Sequence, residues 1–318
     1  MRVACIAKLD IPKLDIAEYK PGRGKTCPYR TLAFREGRYL MDDTATGEAA
    51  MGEAAMGDDS IKQQVKQQFG AHAGAYATSR VHAQGASLGR LVELVNPQPA
   101  WRVLDVATAA GHTAFAFAPH VAQVVATDIT PEMLPVAAKL AAEKSIANVT
   151  LEIADAEALP FGDGEFDLVT CRIAPHHFPH PARFVAEAAR VLRPGGLLAV
   201  VDNVTPGGSD PEAAAAGDYV NAVEKLRDPS HHRALSLAEW RETFTAAGFT
   251  LLHVEVAPKA IEFIPWAERM GATPETVAEL RRRLVEAPPA AAAYFAVAPM
   301  GSDLQFYLEE AILVGRKA

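Results

Sequence analysis

Residues 101–129 read WRVLDVATAAGHTAFAFAPHVAQVVATDI, and this stretch decides the fold. Its two ends, Trp101–Ala107 and Ala122–Ile129, are short apolar runs followed by turns, whereas the residues between them have helical spacing. Two buried strands joined through a helix are typical of a parallel unit, because parallel strands need a long crossover connection. The stretch therefore predicts a parallel sheet covered by helices.

The alternation of strands and helices continues towards the C-terminus. Further strand-like runs are NVTLEIADA (148–156), FDLVTCRIA (166–174), LLAVVDN (197–203), TLLHVEVAP (250–258) and LEEAILVGRK (308–317). We predict an α/β fold with a doubly wound, mostly parallel, seven-stranded Rossmann-like sheet and helical lid insertions. An insertion of roughly 40 residues separates the last two strands, which is longer than an ordinary connection and so predicts a cover over part of the molecule.

The N-terminal residues differ in composition from the rest of the chain. Residues 1–57 have no sustained period and contain GEAAM twice, from Gly47 to Met51 and from Gly52 to Met56. We predict that 1–57 is a flexible extension and that 58–318 is one α/β domain. Within that domain, 58–95 should supply lid helices, 96–203 the ligand-binding core, and 204–318 further helices, the lid insertion and the last strands.

Composition excludes several classes of partner. The net charge of −8 and the pI near 5.7 argue against nucleic-acid binding, which requires an excess of basic residues. Cys5, Cys27 and Cys171 lack the spacing of a zinc site, so we expect no metal. The sequence has neither a signal peptide nor an apolar stretch of about 18 residues, and we therefore predict a cytoplasmic protein without a membrane span.

Three carboxylates stand near the ends of the first three strands. They are Asp105, Asp128 and Asp155, and Gly111 lies in the first turn. Ligands of an open parallel sheet bind outside the carboxyl ends of its strands. Asp128 follows Asp105 by 23 residues, an interval at which a carboxylate can accept hydrogen bonds from both ribose hydroxyls of a nucleotide-like cofactor.

Five segments in this order resemble the class I S-adenosylmethionine (SAM) methyltransferases, in the type 11 branch that includes ubiquinone and menaquinone C-methyltransferases. The segments are VLDVATAAGHTA (103–114), VVATDITPEML (124–134), IADAEALPFGDGEFDLV (153–169), CRIAPHHFPHP (171–181) and RVLRPGGLLAVVDN (190–203). The resemblance implies SAM as cofactor and transfer of its methyl group to a small, apolar or aromatic molecule. The resemblance favours methylation of carbon, but nothing in the sequence decides between carbon, oxygen and nitrogen.

The resemblance also implies roles for individual positions. The loop from Ala107 to Gly111 would run under the methionine moiety of SAM, with Asp105 near its amino group and in contact with it through water. Asp128 would hold the ribose. The remaining implied contacts are packing by Ile129 and Met133 against the adenine or ribose, recognition of the adenine amino edge by Asp155 and Ala156, and a backbone contact from Arg172.

One departure from the family pattern concerns the first turn. Ala107 and Ala109 stand where the family usually has glycine, and only Gly111 remains. A methyl group disfavours positive φ, so either this turn keeps negative φ or cofactor affinity is reduced. The missing glycines also argue against an NAD-dependent oxidoreductase, which needs three around the pyrophosphate.

Histidines follow the fourth strand, where the acceptor would lie. His176 or His177, with His180 close behind, is the candidate catalytic base or acceptor-orienting group, although a structural role is an alternative. His231 and His232 either fold over the acceptor or lie on a surface helix. Tyr76 either resembles the tyrosine that closes over the cofactor or is an ordinary packing aromatic. We expect an apolar pocket for the acceptor, lined by Phe263, Trp266, Tyr294, Phe295 and Met300.

Two other function classes remain open at this point. One is a catalytically inactive SAM-binding partner or sensor protein, which the missing glycines favour. The other is an NAD-dependent oxidoreductase. In the enzyme hypothesis the partner is a small-molecule acceptor, and a homodimer is possible.

Overall fold

The computed structural model describes residues 29–31, 51–77 and 85–318. The strands, in chain order, are β1 (Arg30–Thr31), β2 (Arg102–Val106), β3 (Gln123–Asp128), β4 (Val149–Ile153), β5 (Phe166–Arg172), β6 (Leu192–Val204), β7 (Phe249–Glu262), β8 (Ala298–Met300) and β9 (Asp303–Lys317). The helices are α1 (Met51–Ala77), α2 (Ala86–Val95), α3 (His112–Phe117), α4 (Met133–Glu143), α5 (Pro181–Val191), α6 (Pro211–Arg227), α7 (Leu237–Ala246), α8 (Phe263–Glu268), α9 (Pro274–Val285) and α10 (Pro289–Phe295).

All described strands belong to one sheet. Its order is β1-β7-β9-β6-β5-β2-β3-β4, with β8 paired to β9 as a short hairpin. Strands β2 to β6 pair in parallel, whereas β9 runs antiparallel to both of its long neighbours, β6 and β7. Apart from the short β1 and β8, this is the predicted mostly parallel seven-stranded sheet, and the fold prediction is confirmed.

Helices cover both faces of the sheet. On one face, Phe184 of α5 and Trp240 of α7 pack into a continuous buried cluster with the strands. On the other face, Leu91 of α2 and Phe117 of α3 do the same. The central strands are therefore buried on both sides, which explains why their sequences are almost uninterrupted apolar runs.

The long insertion between β7 and β9 forms a cluster of its own. Helices α8, α9 and α10 pack there against α6 and β9, with Phe263, Phe295 and Phe306 fully buried. This agrees with the expectation that the insertion covers part of the molecule. No helix in the described ranges is long and apolar enough to cross a membrane.

The structure differs from the predicted boundary at residues 57 and 58. Helix α1 begins at Met51, and Arg30 and Thr31 of the predicted extension pair with β7. Tyr29 is buried there and donates a hydrogen bond to Glu310 Oε1 at 2.6 Å. Part of the extension thus joins the sheet edge, because β7 offers it an unpaired edge. The other residues of 1–50 lie outside the described ranges, and the domain boundaries remain predictions.

Helix α4 starts later than its sequence suggests. Thr130 and Pro131 have the composition of a helix start, but the helix begins at Met133 after Glu132, without a side-chain cap. Asp128 Oδ1 accepts the backbone N–H of Thr130 at 2.9 Å, which holds this segment in a turn at the end of β3. The hydrogen bond therefore keeps the residues after β3 beside the site described below.

Candidate functional site

One cavity lies at the carboxyl ends of the parallel strands. Its walls come from the turn after β2, the segments after β3 and β4, and the ends of β5 and β6. Residues of α1, α6, β7, β9 and the segment after α8 complete it from the other side. This is where the winding of a doubly wound sheet opens a crevice, since β2 has β3 on one side and β5 on the other.

Asp128 lies at the end of β3 and faces this cavity. Its Oδ2 accepts the backbone N–H of Ala109 at 2.9 Å, and its Oδ1 accepts that of Thr130 at 2.9 Å. Burial raises the pKa of Asp128, and these backbone hydrogen bonds oppose the rise. Because two carboxylate oxygens together have about four lone pairs, Asp128 can accept further hydrogen bonds besides these two.

Asp105 lies behind the turn and does not line the cavity. Its Oδ2 accepts from Thr108 Oγ1 at 2.6 Å and from the backbone N–H of Ala114 at 3.2 Å, and its Oδ1 accepts from Thr170 Oγ1 at 2.7 Å. Burial raises its pKa to about 6, against the effect of these hydrogen bonds. Its carboxylate connects β2, β5 and α3 and does not line the cavity, and its expected water-mediated contact with the cofactor's amino group stays a prediction.

The alanines of the first turn adopt positive φ. The φ angles are 55° at Ala107, 47° at Ala109 and 86° at Gly111. The alternative in which this turn keeps negative φ is therefore wrong. Hydrogen bonds hold the strained backbone, from Thr108 N to Thr127 O at 2.8 Å and from Ala109 N to Asp128. An alanine in this conformation costs about 1 kcal/mol relative to glycine.

We expect the substitution Ala109→Gly to stabilise the protein. Removing the Cβ relieves the strain, partly offset by the greater freedom of glycine in the unfolded chain, so the free energy of unfolding should rise by about 0.5 kcal/mol. Urea denaturation checks this, and calorimetric titration should show SAM affinity unchanged or higher. Gly111→Ala is the matched contrast, since its Cβ would lie 2.4 Å from Phe115 Cζ and must destabilise. A less stable Ala109→Gly protein would contradict the strain argument.

The residues after β4 form the opposite end of the cavity. Asp155 Oδ2 accepts from Lys62 Nζ at 2.7 Å, and Oδ1 accepts the backbone N–H of Glu157 at 2.9 Å. Lys62 also lies 3.0 Å from Glu157 Oε2, and these ion pairs raise its pKa although burial would lower it. Helix α1 is thereby fastened across this end of the cavity.

The structure brings most of the predicted cofactor residues to the cavity wall. Those that line it are Ala107, Asp128, Ile129, Asp155, Ala156 and Arg172. Met133 does not line it, because its side chain is fully buried in the core beneath. Gly111 is the cap residue of α3 and shapes the turn without lining the cavity.

His177 is the member of the histidine pair that lines the cavity. Its Nδ1 lies 3.0 Å from the carbonyl oxygen of Ser230. A carbonyl oxygen only accepts hydrogen bonds, so Nδ1 carries the proton and Nε2 keeps its lone pair. Burial, and then the charge of His176, lower the pKa of His177 to about 3. The imidazole is therefore neutral at physiological pH.

His176 and His180 do not line the cavity. His176 Nδ1 lies 2.6 Å from Asp202 Oδ1, and the carboxylate raises the pKa of His176 although burial alone would lower it. The carbonyl oxygen of His176 accepts the backbone N–H groups of His232 and Arg233. His180 is paired instead with Asp58 of α1 at 2.9 Å. These two histidines hold neighbouring segments in place. His177 is therefore the remaining candidate for the catalytic base or acceptor-orienting group.

His231 and His232 do not lie on a surface helix. They belong to the irregular segment between α6 and α7, and His231 is only 2% exposed. Its Nε2 lies 2.9 Å from Asn221 Oδ1, and its ring centroid lies 5.4 Å from that of His176. The helix interpretation is wrong for both residues, but only His231 is buried, whereas His232 is exposed on the surface.

Most of the residues predicted to line the apolar pocket do not line the cavity. Of the five named in the sequence, Trp266 alone lines the cavity. Phe263 and Phe295 are fully buried in the lid cluster, and the hydroxyl of Tyr294 donates to Val204 O at 2.8 Å. The apolar and aromatic residues that do line the cavity include Phe69, Phe178, Ile261, Trp266, Met270 and Leu308.

Several charged lining residues were not anticipated from the sequence. Lys62 of α1, Glu224 of α6 and Lys259 of β7 are examples. They stand on two helices and a strand without any motif, so no local signal identifies them. The predicted lid residue Tyr76 lies in α1, but its side chain is outside the described residues, and its role stays a prediction.

Comparison with known protein sequences identifies one relative over most of the chain and another over about a third of it. A family described as "Methyltransferase domain" matches residues 104–200. The chain is 35% identical over 251 residues to an uncharacterized methyltransferase, YcgJ, of Bacillus subtilis, covering 78% of this chain and 97% of YcgJ. It is 39% identical over 105 residues to the ubiquinone/menaquinone biosynthesis C-methyltransferase UbiE of Zymomonas mobilis, covering 33% of this chain and 43% of UbiE.

Two crystal structures share the fold over most of their length. YcgJ of Bacillus subtilis aligns with a TM-score of 0.68 at 35% identity, covering 73% of this chain and 97% of that one. A Bacillus halodurans protein aligns with a TM-score of 0.69 at 39% identity, covering 73% and 99% of the two chains. The similarity therefore extends over nearly the whole of both related proteins.

Proposed function

Because this chain belongs to the class I SAM-dependent methyltransferases, in which SAM is the methyl donor, we propose that it methylates a small molecule with an apolar or aromatic body. The observation that supports the proposal is the composition of the cavity at the carboxyl ends of the parallel strands. One end carries Asp128 and Asp155, and the other carries Trp266 and Leu308. A polar end for a nucleoside and an apolar end for a second molecule match the two substrates that a methyl transfer requires.

The cofactor would lie along the ends of β2, β3 and β4. Asp128 would accept hydrogen bonds from the ribose, and Ile129 and Ala156 would lie against the adenine beside Asp155. The turn from Ala107 would run under the methionine moiety. When bound, SAM supplies a methyl group on a sulfonium, so the leaving group needs no further activation. The chain's own residues have to align the acceptor and exclude water.

His177 would orient the acceptor. Its neutral ring presents Nε2 as a hydrogen-bond acceptor, because Nδ1 is directed to Ser230 O. A pKa of about 3 makes His177 a weak proton acceptor. His177 is therefore better suited to orienting a hydroxyl of the acceptor by a hydrogen bond than to removing its proton as a general base. Phe69 packs edge-on against His177, with ring centroids 4.9 Å apart, and limits its movement.

The related proteins narrow the acceptor only by analogy. The UbiE name specifies carbon methylation in ubiquinone and menaquinone biosynthesis, and that match covers 43% of UbiE. It favours phenolic and quinol acceptors as the first compounds to test. Membership of an enzyme family sets aside the inactive partner and the NAD-dependent oxidoreductase. The homodimer and the cytoplasmic location remain predictions.

The proposed function is tested by methylation of a panel of phenols, hydroquinones and polar amino acids, with S-adenosylhomocysteine (SAH) formation as the readout. We expect turnover on aromatic members of the panel. His177→Gln should slow it by about 10- to 100-fold across the neutral pH range without changing SAH affinity, since alignment is lost but no titrating group is removed. His180→Gln is the control, because its ring is tied to Asp58 outside the cavity.

Two outcomes would contradict this proposal. Turnover confined to polar amino acids would exclude an apolar acceptor. A wild-type inflection near neutral pH that disappears in His177→Gln would show that His177 acts as the base instead.

A further inference from the structure

Lys259 of β7 brings a positive charge to the acceptor end of the cavity. Its side chain lines the cavity and is 25% exposed. Its ion-pair partner is Glu310, whose Oε2 lies 3.6 Å from Nζ, longer than a hydrogen bond. The other oxygen of Glu310 accepts from the hydroxyl of Tyr29 at 2.6 Å. Among the described residues, the ammonium's polar contact is with Glu310, which leaves at least two of its three N–H donors for a ligand.

The surroundings of Lys259 favour a bound anion. Arg172 and Arg269 line the same cavity, and both lower the pKa of Lys259, after the larger effect of burial and against that of Glu310. The carboxylates that line the cavity belong to other walls. They are Asp128, Asp155 and Glu157 near the ends of β3 and β4, and Glu224 and Asp228 at the end of α6. An anion beside Lys259 would therefore be attracted by three cationic side chains, and the carboxylate nearest to it is that of Glu310.

The position of Lys259 separates it from the proposed cofactor. In the sheet order, β9, β6 and β5 lie between β7 and β2. Four strand spacings of about 4.8 Å place β7 roughly 19 Å from β2, further than a lysine side chain reaches. Besides the two arginines, this end of the lining carries the apolar residues Ile261, Trp266 and Leu308. A ligand that fits this end therefore combines an apolar body with one negative group.

We propose that the methyl acceptor is a carboxylic acid with an apolar or aromatic body, whose carboxylate is held by Lys259. This inference rests on the proposed function. The carboxylate anchors the molecule at the end of the cavity away from the cofactor, and the atom to be methylated is elsewhere on the apolar body. A carboxylate also occurs in the methionine moiety of SAM, and the test has to distinguish the two sources.

Calorimetric titration of the full chain, saturated with SAH, provides the test. The ligands are matched acids and neutral amides: benzoate and benzamide, salicylate and salicylamide, cinnamate and cinnamamide. We expect each acid to bind about 10- to 100-fold more tightly than its amide, as for hydrogen bonds to a charged group. Lys259→Met should abolish this difference, and Lys259→Arg should retain most of it. Lys139→Met removes an exposed lysine, 78% accessible, and should change nothing.

The outcomes distinguish failure of the carboxylate-binding inference from failure of the proposed cofactor site. Equal affinity for acids and amides, or no binding by either, overturns the inference while SAH binding leaves the cofactor site intact. Weaker SAH binding in Lys259→Met with unchanged binding of the acids also overturns it, because the lysine would then hold the cofactor's carboxylate. Failure of SAH to bind the folded wild type would instead contradict the proposed cofactor site.

Discussion

Replacing Asp128 with alanine is expected to weaken SAM binding by about 100- to 1,000-fold. The two ribose hydroxyls would lose their shared charged acceptor, and each hydrogen bond to a charged group is worth about 1.5 to 3 kcal/mol. The same substitution removes the acceptor for the backbone N–H groups of Ala109 and Thr130, so the turn that carries the methionine moiety also loosens. Calorimetric titration with SAM and SAH measures the loss.

Two controls isolate the effect of Asp128. Asp128→Asn keeps one oxygen acceptor and should show an intermediate loss of affinity. Asp163→Ala removes a carboxylate whose side chain is 82% exposed, and should leave affinity unchanged. Thermal denaturation of each variant establishes the folded fraction. If folded Asp128→Ala bound SAM as tightly as the wild type, the ribose would have to lie elsewhere.

Replacing Asp105 with alanine should lower the free energy of unfolding by about 4 kcal/mol. The hydroxyls of Thr108 and Thr170 and the backbone N–H of Ala114 would lose their acceptor inside the protein, at about 1 to 3 kcal/mol each. Because these bonds join β2, β5 and α3, SAM binding should fail together with the turn. Urea denaturation measures the change in stability, and stability equal to the wild type would contradict a supporting role.

Asp105 also predicts how stability depends on pH. Its pKa is raised from 3.8 to about 6, so between these values the folded state holds a proton that the unfolded state has released. Its contribution to the free energy of unfolding is therefore full below about pH 4 and declines by about 3 kcal/mol as the pH rises through 6. Asp105→Asn lacks this titration. Denaturation of both proteins at a series of pH values isolates the effect, and a constant difference between them would disprove it.

That most of the proposed cofactor residues line one cavity was predictable from the sequence. Asp128 and Asp155 follow apolar runs that the periodicity identifies as parallel strands, and the carboxyl ends of such strands meet at one edge of the sheet. The direction of individual side chains was less predictable. Asp105 is adjacent to the site in sequence, yet its carboxylate is directed into the protein by Thr170 of another strand.

The acceptor end shows most clearly what required the tertiary structure. Lys259 of β7 and Leu308 of β9 are 49 residues apart in the sequence. They meet only because the two strands pair antiparallel, with these two residues in register. His176 and His177 are neighbours in sequence, but only His177 lines the cavity, since Asp202 of β6 holds the other ring.

The sequence by itself determined the family, the parallel core and the edge of the sheet where the site lies, because strand and helix periodicity are local properties of the chain. Only the tertiary structure decided which side chains line the cavity. That choice depends on packing and hydrogen bonding between elements that are distant in the sequence, such as Lys62 with Asp155 and Tyr29 with Glu310.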